Sequence, residues 1–411
     1  MIKMLHLADL HIGMENYGRI DPSTGLHSRL HDYLERLDEA IAFGLNENVD
    51  LVLIAGDIYK NRTPNPTHQR EFARRIHRLR SAGLPVYILI GNHDVSPAVG
   101  RAHAIEIFDT LAIKGVIIAD RPRVDLVETK SGLVQILAMP WVTRHGLLTK
   151  DDLARSSMLD VETMMLGRVE QFLSTKAEEL DPTIPAVLTL HGTIDGATVG
   201  IERSIMLGRD MVLPKSVVAL PNIDYVALGH IHKHQVLTNH PPVVYSGSIE
   251  RIDFGEEHEA KGCVLVEIEK GATTWRFHPL AARPFVTVEV DVRTVANPQA
   301  RVADAISKQK LDGAVVRVLV EASPDQAGQI RTSEIQQLLD AANVHHVATI
   351  KIDIERTSRS RLGAAAGELL DGLTPRRALE LYLRSKNTSE ARIVELLAAA
   401  DELFAEQGVA G

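Results

Sequence analysis

Five short apolar runs in this chain each lead directly into residues that bind cations, a pattern that makes sense only if the runs are buried strands opening onto one site. Ile2 to Leu7 leads to Asp9 and His11, and Leu51 to Ala55 leads to Asp57. Val86 to Ile90 leads to Asn92, His93 and Asp94, Ala186 to Leu190 to His191, and Tyr225 to Leu228 to His230 and His232. The runs are short and rich in Leu and β-branched residues, as buried strands are. Gln135 to Met139 and Val243 to Tyr245 read the same way. Between the early runs, Leu30, Leu34, Leu37 and Ile41 recur at helical spacing within Arg29 to Asn46, and Thr67 to Ser81 carries a second helical pattern. Strands alternating with helices predict a layered α/β domain. Loops at the carboxyl ends of such strands converge over one edge, where ligand sites are built. Gly56, Gly91, Gly192 and Gly229 flank the donors and would let backbone approach a crowded centre.

Leaving His93 aside, the donors are two aspartates, one asparagine oxygen and four imidazoles. Oxygen and nitrogen without sulfur suit divalent manganese, iron or zinc. The single cysteine, Cys263, excludes a thiolate-rich metal site and an internal disulfide framework, and fits a reducing compartment. Asp9, His11, Asp57, Asn92, His191, His230 and His232 exceed what one octahedral ion takes if substrate and water also need room. Two ions about 3.5 to 4 Å apart, sharing one carboxylate and a water, use all of them and supply in-line displacement on phosphate esters. Asp57 is the natural bridge. His93 falls outside the ligand count, beside Asp94, which could fix its tautomer and orientation.

Which phosphate ester is constrained by composition. The formal charge is -9 at pH 7, with 45 Lys and Arg against 54 Asp and Glu, so a polyanion must meet a local basic patch. The densest basic stretch is Lys60, Arg62, Arg70, Arg74, Arg75, Arg78 and Arg80. It reads either as a solvated helix face or as a phosphate-contacting surface, with Lys60, Arg62, Arg74 and Arg78 the candidate contacts to a polyanion. Aromatic residues make up only 4% of the chain, too few for indiscriminate stacking on unpaired bases. No apolar run approaches a membrane span, and Asp9 and His11 interrupt the apolar start, so the expectation is a cytoplasmic protein without a targeting segment. His6, inside the first strand, and His234, continuing the series from His230, read as structural histidines, and Cys263 as a buried small side chain in a strand.

The donor-bearing domain is expected over 1–282. A small βαβαβ second domain over 283–355 follows, in which Phe285 to Val292 alternates, Pro298 to Ser307 is helical, Val315 to Val320 is a strand, Ser333 to Ala342 is helical and His346 to Ile354 alternates. Residues 356–373 are rich in Arg, Gly and Ala and read as a linker. The span 374–411 holds two short amphipathic helices, one opening at Thr374 and Pro375 and carrying Leu379, Tyr382 and Leu383, the other carrying Ile393, Leu396, Leu397, Ala400 and Leu403.

The five motifs in order resemble the calcineurin-like metallophosphoesterases. Gly247 to Glu256, the preceding Tyr245 and Ser246, and Met139-Pro140-Trp141 are similar to the SbcD branch, bacterial and archaeal relatives of the eukaryotic double-strand-break repair nuclease. The resemblance covers nearly the whole chain. It implies a layered phosphoesterase domain, a small α/β capping domain and a C-terminal helical element that docks an SbcC-type ABC ATPase with a long coiled coil. It assigns Asp9, His11, Asp57 and His232 to one metal and Asp57, Asn92, His191 and His230 to the other, with manganese the usual ion. It makes His93, with Asp94 behind it, the residue that stabilises the transition state or protonates the leaving oxygen. It also implies a homodimer formed through the region of the basic helix, although Phe72, Ile76 and Leu79 on that helix read from their spacing as a domain-core face. One departure stands out: several archaeal and eukaryotic members place a histidine three residues after the bridging aspartate, where this chain has Lys60. A lysine contacts phosphate as a point charge but substitutes poorly in proton transfer.

Two functions share this centre. One is a metal-dependent DNA nuclease subunit acting in double-strand-break repair with the ATPase. The other is a stand-alone metallophosphatase or cyclic-nucleotide phosphodiesterase, which has no obvious need of the chain after Arg283.

Overall fold

In β1 (Ile2–Leu7) successive side chains serve two different cores, which is why the strand reads as a continuous apolar run. Ile2 and Met4 enter a layer shared with a second sheet, whereas Leu5 and Leu7 face two helices, α1 (Ser28–Asn46) and α2 (Pro66–Ser81). The structure, a computed structural model, describes residues 1–96, 101–143, 147–148, 157–200, 211–355, 375–386 and 388–406.

Two six-stranded mixed sheets form the middle layers. In the first, β1, β2 (Leu51–Ile54), β3 (Val86–Leu89) and β4 (Val116–Ala119) run parallel in that order. Two antiparallel strands extend it beyond β1, Gly262–Ile268 and then Thr274–Pro279. In the second, the strands Gly132–Met139, Ala186–His191, Tyr225–Gly229 and Pro242–Tyr245 run parallel, with antiparallel edges at Arg123–Thr129 and Gln235–Asn239. Leu51 and Leu53 of the first sheet meet Ile136, Val187 and Ala227 of the second between the layers. Outside the second sheet, Leu188, Leu190 and Leu228 pack on Val169 and Leu173 of the helix Met158–Glu178. The result is a layered α/β sandwich, helix on sheet on sheet on helix.

Helix α2 starts one residue earlier than the apolar spacing suggests, because Asn65 caps it. The Asn65 side chain accepts from the His68 N–H at 2.9 Å, and Pro66 occupies the first turn, where its missing N–H costs nothing. Phe72, Ile76 and Leu79 are all buried in the core against β1 to β3, so this face of the helix is used up within the domain and is not a surface between copies. Truncating any of these fully buried apolar side chains costs about 2–5 kcal/mol.

Two compact units emerge. The first contains 1–287 together with 310–317 and 339–349. Those two later segments join it because Phe285 and Val315 pack with Phe254, and Tyr17 and Ala348 close around them. The second contains 288–309, 318–338 and 350–411. The strands Phe285–Asp291, Val315–Ala322 and His346–Ile354 form a three-stranded sheet, and the helices Pro298–Ser307 and Thr332–Ala341 lie between them in sequence. The linker expected at 356–373 lies outside the described residues. The helices Pro375–Ser385 and Glu390–Glu406 pack on one another, with an Arg376–Asp401 ion pair at 3.0 Å between them. Ile393 and Leu397 are buried there, Leu379, Leu383 and Leu396 are half-buried, and Tyr382 and Val394 face solvent. Among the described residues no helix is long and apolar enough to cross a membrane.

Candidate metal centre

Loops from the carboxyl ends of both sheets are stitched together at one edge of the sandwich. The Asp9 carboxylate accepts the backbone N–H of His230 at 2.9 and 3.1 Å, and His191 Nδ1–H donates to the Ala55 carbonyl at 2.7 Å. Within the first sheet, the His11 N–H donates to the Asp57 carbonyl at 3.0 Å. Gly91 and Gly229 are needed for this closeness, since a Cβ at Gly91 would collide with Asp57 and one at Gly229 with the Ala55 carbonyl. Gly192 is not, because a Cβ there would meet only Leu190, at an ordinary 3.4 Å. Asp9, His11, Asp57 and His230 all adopt left-handed backbone, with φ of 52°, 42°, 55° and 103°. Each such residue costs about 1–3 kcal/mol, strain that persists only where the surroundings enforce it and that gathers at functional sites.

The candidate donors fall into two groups. The ligating atoms of Asp9, His11 and His232 lie within 4.8 Å of one another, as do those of Asp57, His191 and His230. His11 Nε2 and His232 Nε2 stand 3.0 Å apart, and Asn92 Oδ1 is 3.0 Å from His191 Nε2 and 3.1 Å from His230 Nδ1. Two donors about 2.1 Å from one ion and at right angles to each other are about 3.0 Å apart, so these spacings are those of neighbouring ligands. Asp57 Oδ2 reaches toward both groups, at 3.4 Å from His191 Nε2 and 3.8 Å from His11 Nε2.

Burial raises the Asp9 carboxyl and holds the His11 imidazole well below its usual value, whereas Asp57 and His191 keep opposite charges. Burial works against a charge on Asp57, yet the imidazoles of His191, His93 and His11 hold its carboxyl well below the usual carboxylate range. Burial would also lower His191, but Asp57 and then Asp9 carry it up to about 9. Asp57 and His191 thus form a buried ion pair, and a divalent ion held by His191 Nε2 would displace that proton.

Residues 2–234 match the calcineurin-like phosphoesterase family, more than half of the chain and a span that contains every candidate donor. The chain belongs to that family. It is therefore a phosphoesterase with a candidate dimetal site of Asp, Asn and His. Among curated relatives, it is similar to a DNA double-strand break repair protein Mre11 of Archaeoglobus fulgidus, 23% identical over 350 residues covering 81% of this chain and 71% of that protein. It is similar at the same level to an uncharacterized metallophosphoesterase, YhaO, of Bacillus subtilis, 25% identical over 324 residues covering 77% of this chain and 70% of that one. Among solved structures, a dimetal phosphatase from Danio rerio aligns with a TM-score of 0.40 and 11% identity over 68% of this chain and 96% of its own.

Around the phosphoesterase centre, one sequence expectation needs correction. Asp94 does not stand behind His93. Its carboxylate accepts the backbone N–H groups of Ile58 at 3.0 Å, Tyr59 at 3.2 Å and Gly91 at 3.2 Å, so it clamps the loop after Asp57 to the loop before Asn92. Burial and then the Asp57 charge push its carboxyl up to about 7. The group that orients His93 is the Lys60 carbonyl, which accepts Nδ1–H at 2.7 Å. His93 Nε2 then lies 4.0 Å from Asp57 Oδ2, and the ring is 30% exposed where Asp57 is 2% exposed. His93 thus stands at the mouth of the site, within ligand reach of the His11 and Asp57 atoms but open to substrate.

Glu256, at the end of the Gly247 to Glu256 stretch, orients one of the candidate ligands. Its Oε1 accepts His232 Nδ1–H at 2.7 Å, which turns Nε2 toward His11. Glu256 also accepts the Ile252 N–H at 2.9 Å and pairs with the fully buried Lys261 at 2.9 Å. No residue-type signal singled it out, since Glu250, Asp253, Glu257 and Glu259 crowd the same stretch.

The candidate polyanion contacts divide. Lys60 and Arg62 lie on the loop between Asp57 and α2, and among the described residues their side-chain charges make no hydrogen bond or ion pair. Arg74 pairs with the buried Glu71 at 2.9 Å and Arg78 with Asp38 of α1 at 3.3 Å, so part of the basic run is neutralised, the exposed Arg78–Asp38 pair being worth little by itself. His6 and His234 are placed away from the donors: His6 Nδ1 shares a hydrogen bond with the Tyr225 hydroxyl at 3.1 Å, and His234 Nδ1–H donates to the Tyr245 carbonyl at 2.8 Å while stacking on Phe277. Cys263 is buried in its strand, and burial pushes its thiol up to about 12, which leaves it inert.

Proposed function

We propose that this phosphoesterase is a DNA phosphodiesterase, the nuclease subunit of a double-strand-break repair machine, loaded with manganese and working with an SbcC-type coiled-coil ATPase. One observation supports the reading most. The similarity to the Archaeoglobus repair protein spans 81% of the chain, and so continues well past residue 234, where the match to the phosphoesterase family stops. A phosphoesterase domain alone would not produce it.

Asp9, His11, Asp57 and His232 would hold one divalent ion, and Asp57, Asn92, His191 and His230 the other. Bound ions supply charge neutralisation for the phosphate and lower the pKa of water so that it attacks at neutral pH. The chain's own residues do the rest. The Asp9 and Asp57 loops, stitched across the two sheets, keep the donors from splaying apart under mutual repulsion. Glu256 and the Ala55 carbonyl hold His232 and His191 in the ring orientation that presents Nε2 inward. His93, oriented through Nδ1 by Lys60, presents Nε2 at the open side of the centre, placed to give a proton to the departing ester oxygen. The Lys60 and Arg62 charges at the rim suit the phosphates that flank a scissile bond in a polymer.

The test is digestion of end-labelled duplex and hairpin DNA with and without manganese, alongside p-nitrophenyl phosphate and a cyclic nucleotide. Manganese-dependent breakdown of DNA is expected. Turnover of the monoester or the cyclic nucleotide with intact DNA would overturn the reading in favour of a stand-alone phosphatase or cyclic-nucleotide phosphodiesterase.

A further inference from the structure

The chain has two tryptophans, and one stands against the candidate metal centre. Trp141 follows the strand Gly132–Met139, and its backbone N–H donates to the Ile90 carbonyl at 2.9 Å, which ties it to the segment that presents Asn92. Its ring centroid lies 5.1 Å from that of His230, with the planes tilted by 38°, and 6.2 Å from that of His191, with the planes at 73°. The residue is only half-buried. Trp275, the other tryptophan, packs against the sandwich core beside His234 and has no access to the centre.

A packing role explains the face turned to His191 and His230 but not the choice of residue. The largest apolar side chain, part exposed beside a cluster of polar donors, forgoes burial that a smaller side chain would not need. A flat, polarisable ring at the rim of a phosphate site has a direct use, because a nucleobase is joined to its phosphate through a single sugar and comes to rest about one ring's distance from the centre. Every base has a face that stacks, so one such platform binds nucleotides without reading sequence. The low aromatic content that rules out many platforms leaves room for one.

We propose that Trp141 is a specificity-determining residue whose indole stacks on the base next to the scissile bond, so that the centre prefers nucleotide esters to alkyl esters of the same leaving group. This rests on the nucleic-acid reading above. The test compares the p-nitrophenyl ester of thymidine 5′-monophosphate with methyl p-nitrophenyl phosphate, two diesters that differ in the base and sugar, using the full-length, manganese-loaded protein. The wild type should show a KM for the nucleotide ester about tenfold lower, the equivalent of about 1.4 kcal/mol. Trp141→Ala should collapse that ratio toward one with two metal ions still bound per chain, and Trp141→Phe, which keeps a ring, should retain part of it. Thymidine 5′-monophosphate should also quench the indole fluorescence of the wild type, inorganic phosphate should not, and Trp141→Phe, which keeps Trp275, should lose the response. A wild-type preference that survives Trp141→Ala would overturn the stacking role alone and leave the ring as packing for His191 and His230. A wild type that digests DNA but hydrolyses both esters without preference would overturn the stacking role alone, and one that leaves DNA intact would bring down the nucleic-acid reading, and this inference with it.

Discussion

The Lys60 carbonyl accepts a hydrogen bond from His93 Nδ1–H, which leaves Nε2 as the nitrogen that faces the centre. If that nitrogen serves the leaving oxygen and not an ion, His93→Gln should keep two metal ions per chain while hydrolysis falls by about 10² to 10⁴. Loss of one ion in step with activity would make His93 a ligand. His6 makes a different prediction, about stability. Alternation along β1 turns it into the layer between the sheets, where burial lowers its imidazole to about 3. The unfolded chain takes up that proton near pH 6.5, so between about 6.5 and 3 the unfolded state holds more protons and stability falls as pH falls. The slope from this one group is about 1 kcal/mol per pH unit. Urea unfolding of the wild type between pH 7 and 4.5 should therefore show a steeper loss than His6→Asn, and equal slopes would refute the assignment. At this scale the candidate donors were legible because cation ligands come from few residue types and apolar runs mark where strands end. The partner of His93 was not, because a backbone carbonyl from another loop carries no residue-type signature.

Between Gly247 and Glu256 a single segment ties a candidate ligand to the place where the chain leaves the first sandwich. Glu250 accepts the backbone N–H of Arg283 at 3.0 Å, the Arg251 guanidinium donates to the Arg283 carbonyl at 3.0 Å, and Glu256 holds His232. Glu256→Gln removes the charge behind His232 and opposite Lys261 but keeps the shape. It should weaken one of the two metal ions about 10- to 100-fold, the range for an outer-shell partner, and spare the ion held by Asn92, His191 and His230. Titration of both ions by calorimetry checks this, and two unchanged affinities would show that Glu256 serves the fold only. Among the elements, the strands buried on both faces were plain in the sequence as unbroken apolar runs. The edges Arg123–Thr129 and Thr274–Pro279 were not, because their exposed faces mix polar residues into a pattern that also suits loops. The basic run on α2 was legible as a helix face, but its pairing with Asp38 was not, since that residue belongs to another helix.

For the whole molecule, the proposed partnership places the ATPase on the C-terminal helices. They bury Ile393 and Leu397 but leave Tyr382 and Val394 at the surface, on a pair too short to be stable alone. Deleting 374–411 should abolish copurification with the ATPase and leave manganese-dependent cleavage of simple DNA substrates nearly intact. A truncated chain that binds the ATPase with undiminished affinity would put the docking site elsewhere. The chemical character of the centre, its order along the chain and the layered class of the fold could all be read before any coordinates, because each depends on residue type and on short-range periodicity. Which donors share an ion, which carboxylate stands behind which imidazole, and which ring lines the rim depend on contacts such as Asp9 to His230 and His11 to His232, 221 residues apart in each case. Those contacts exist only once two sheets close face to face, and no local pattern in a chain encodes how far its loops will reach across that edge.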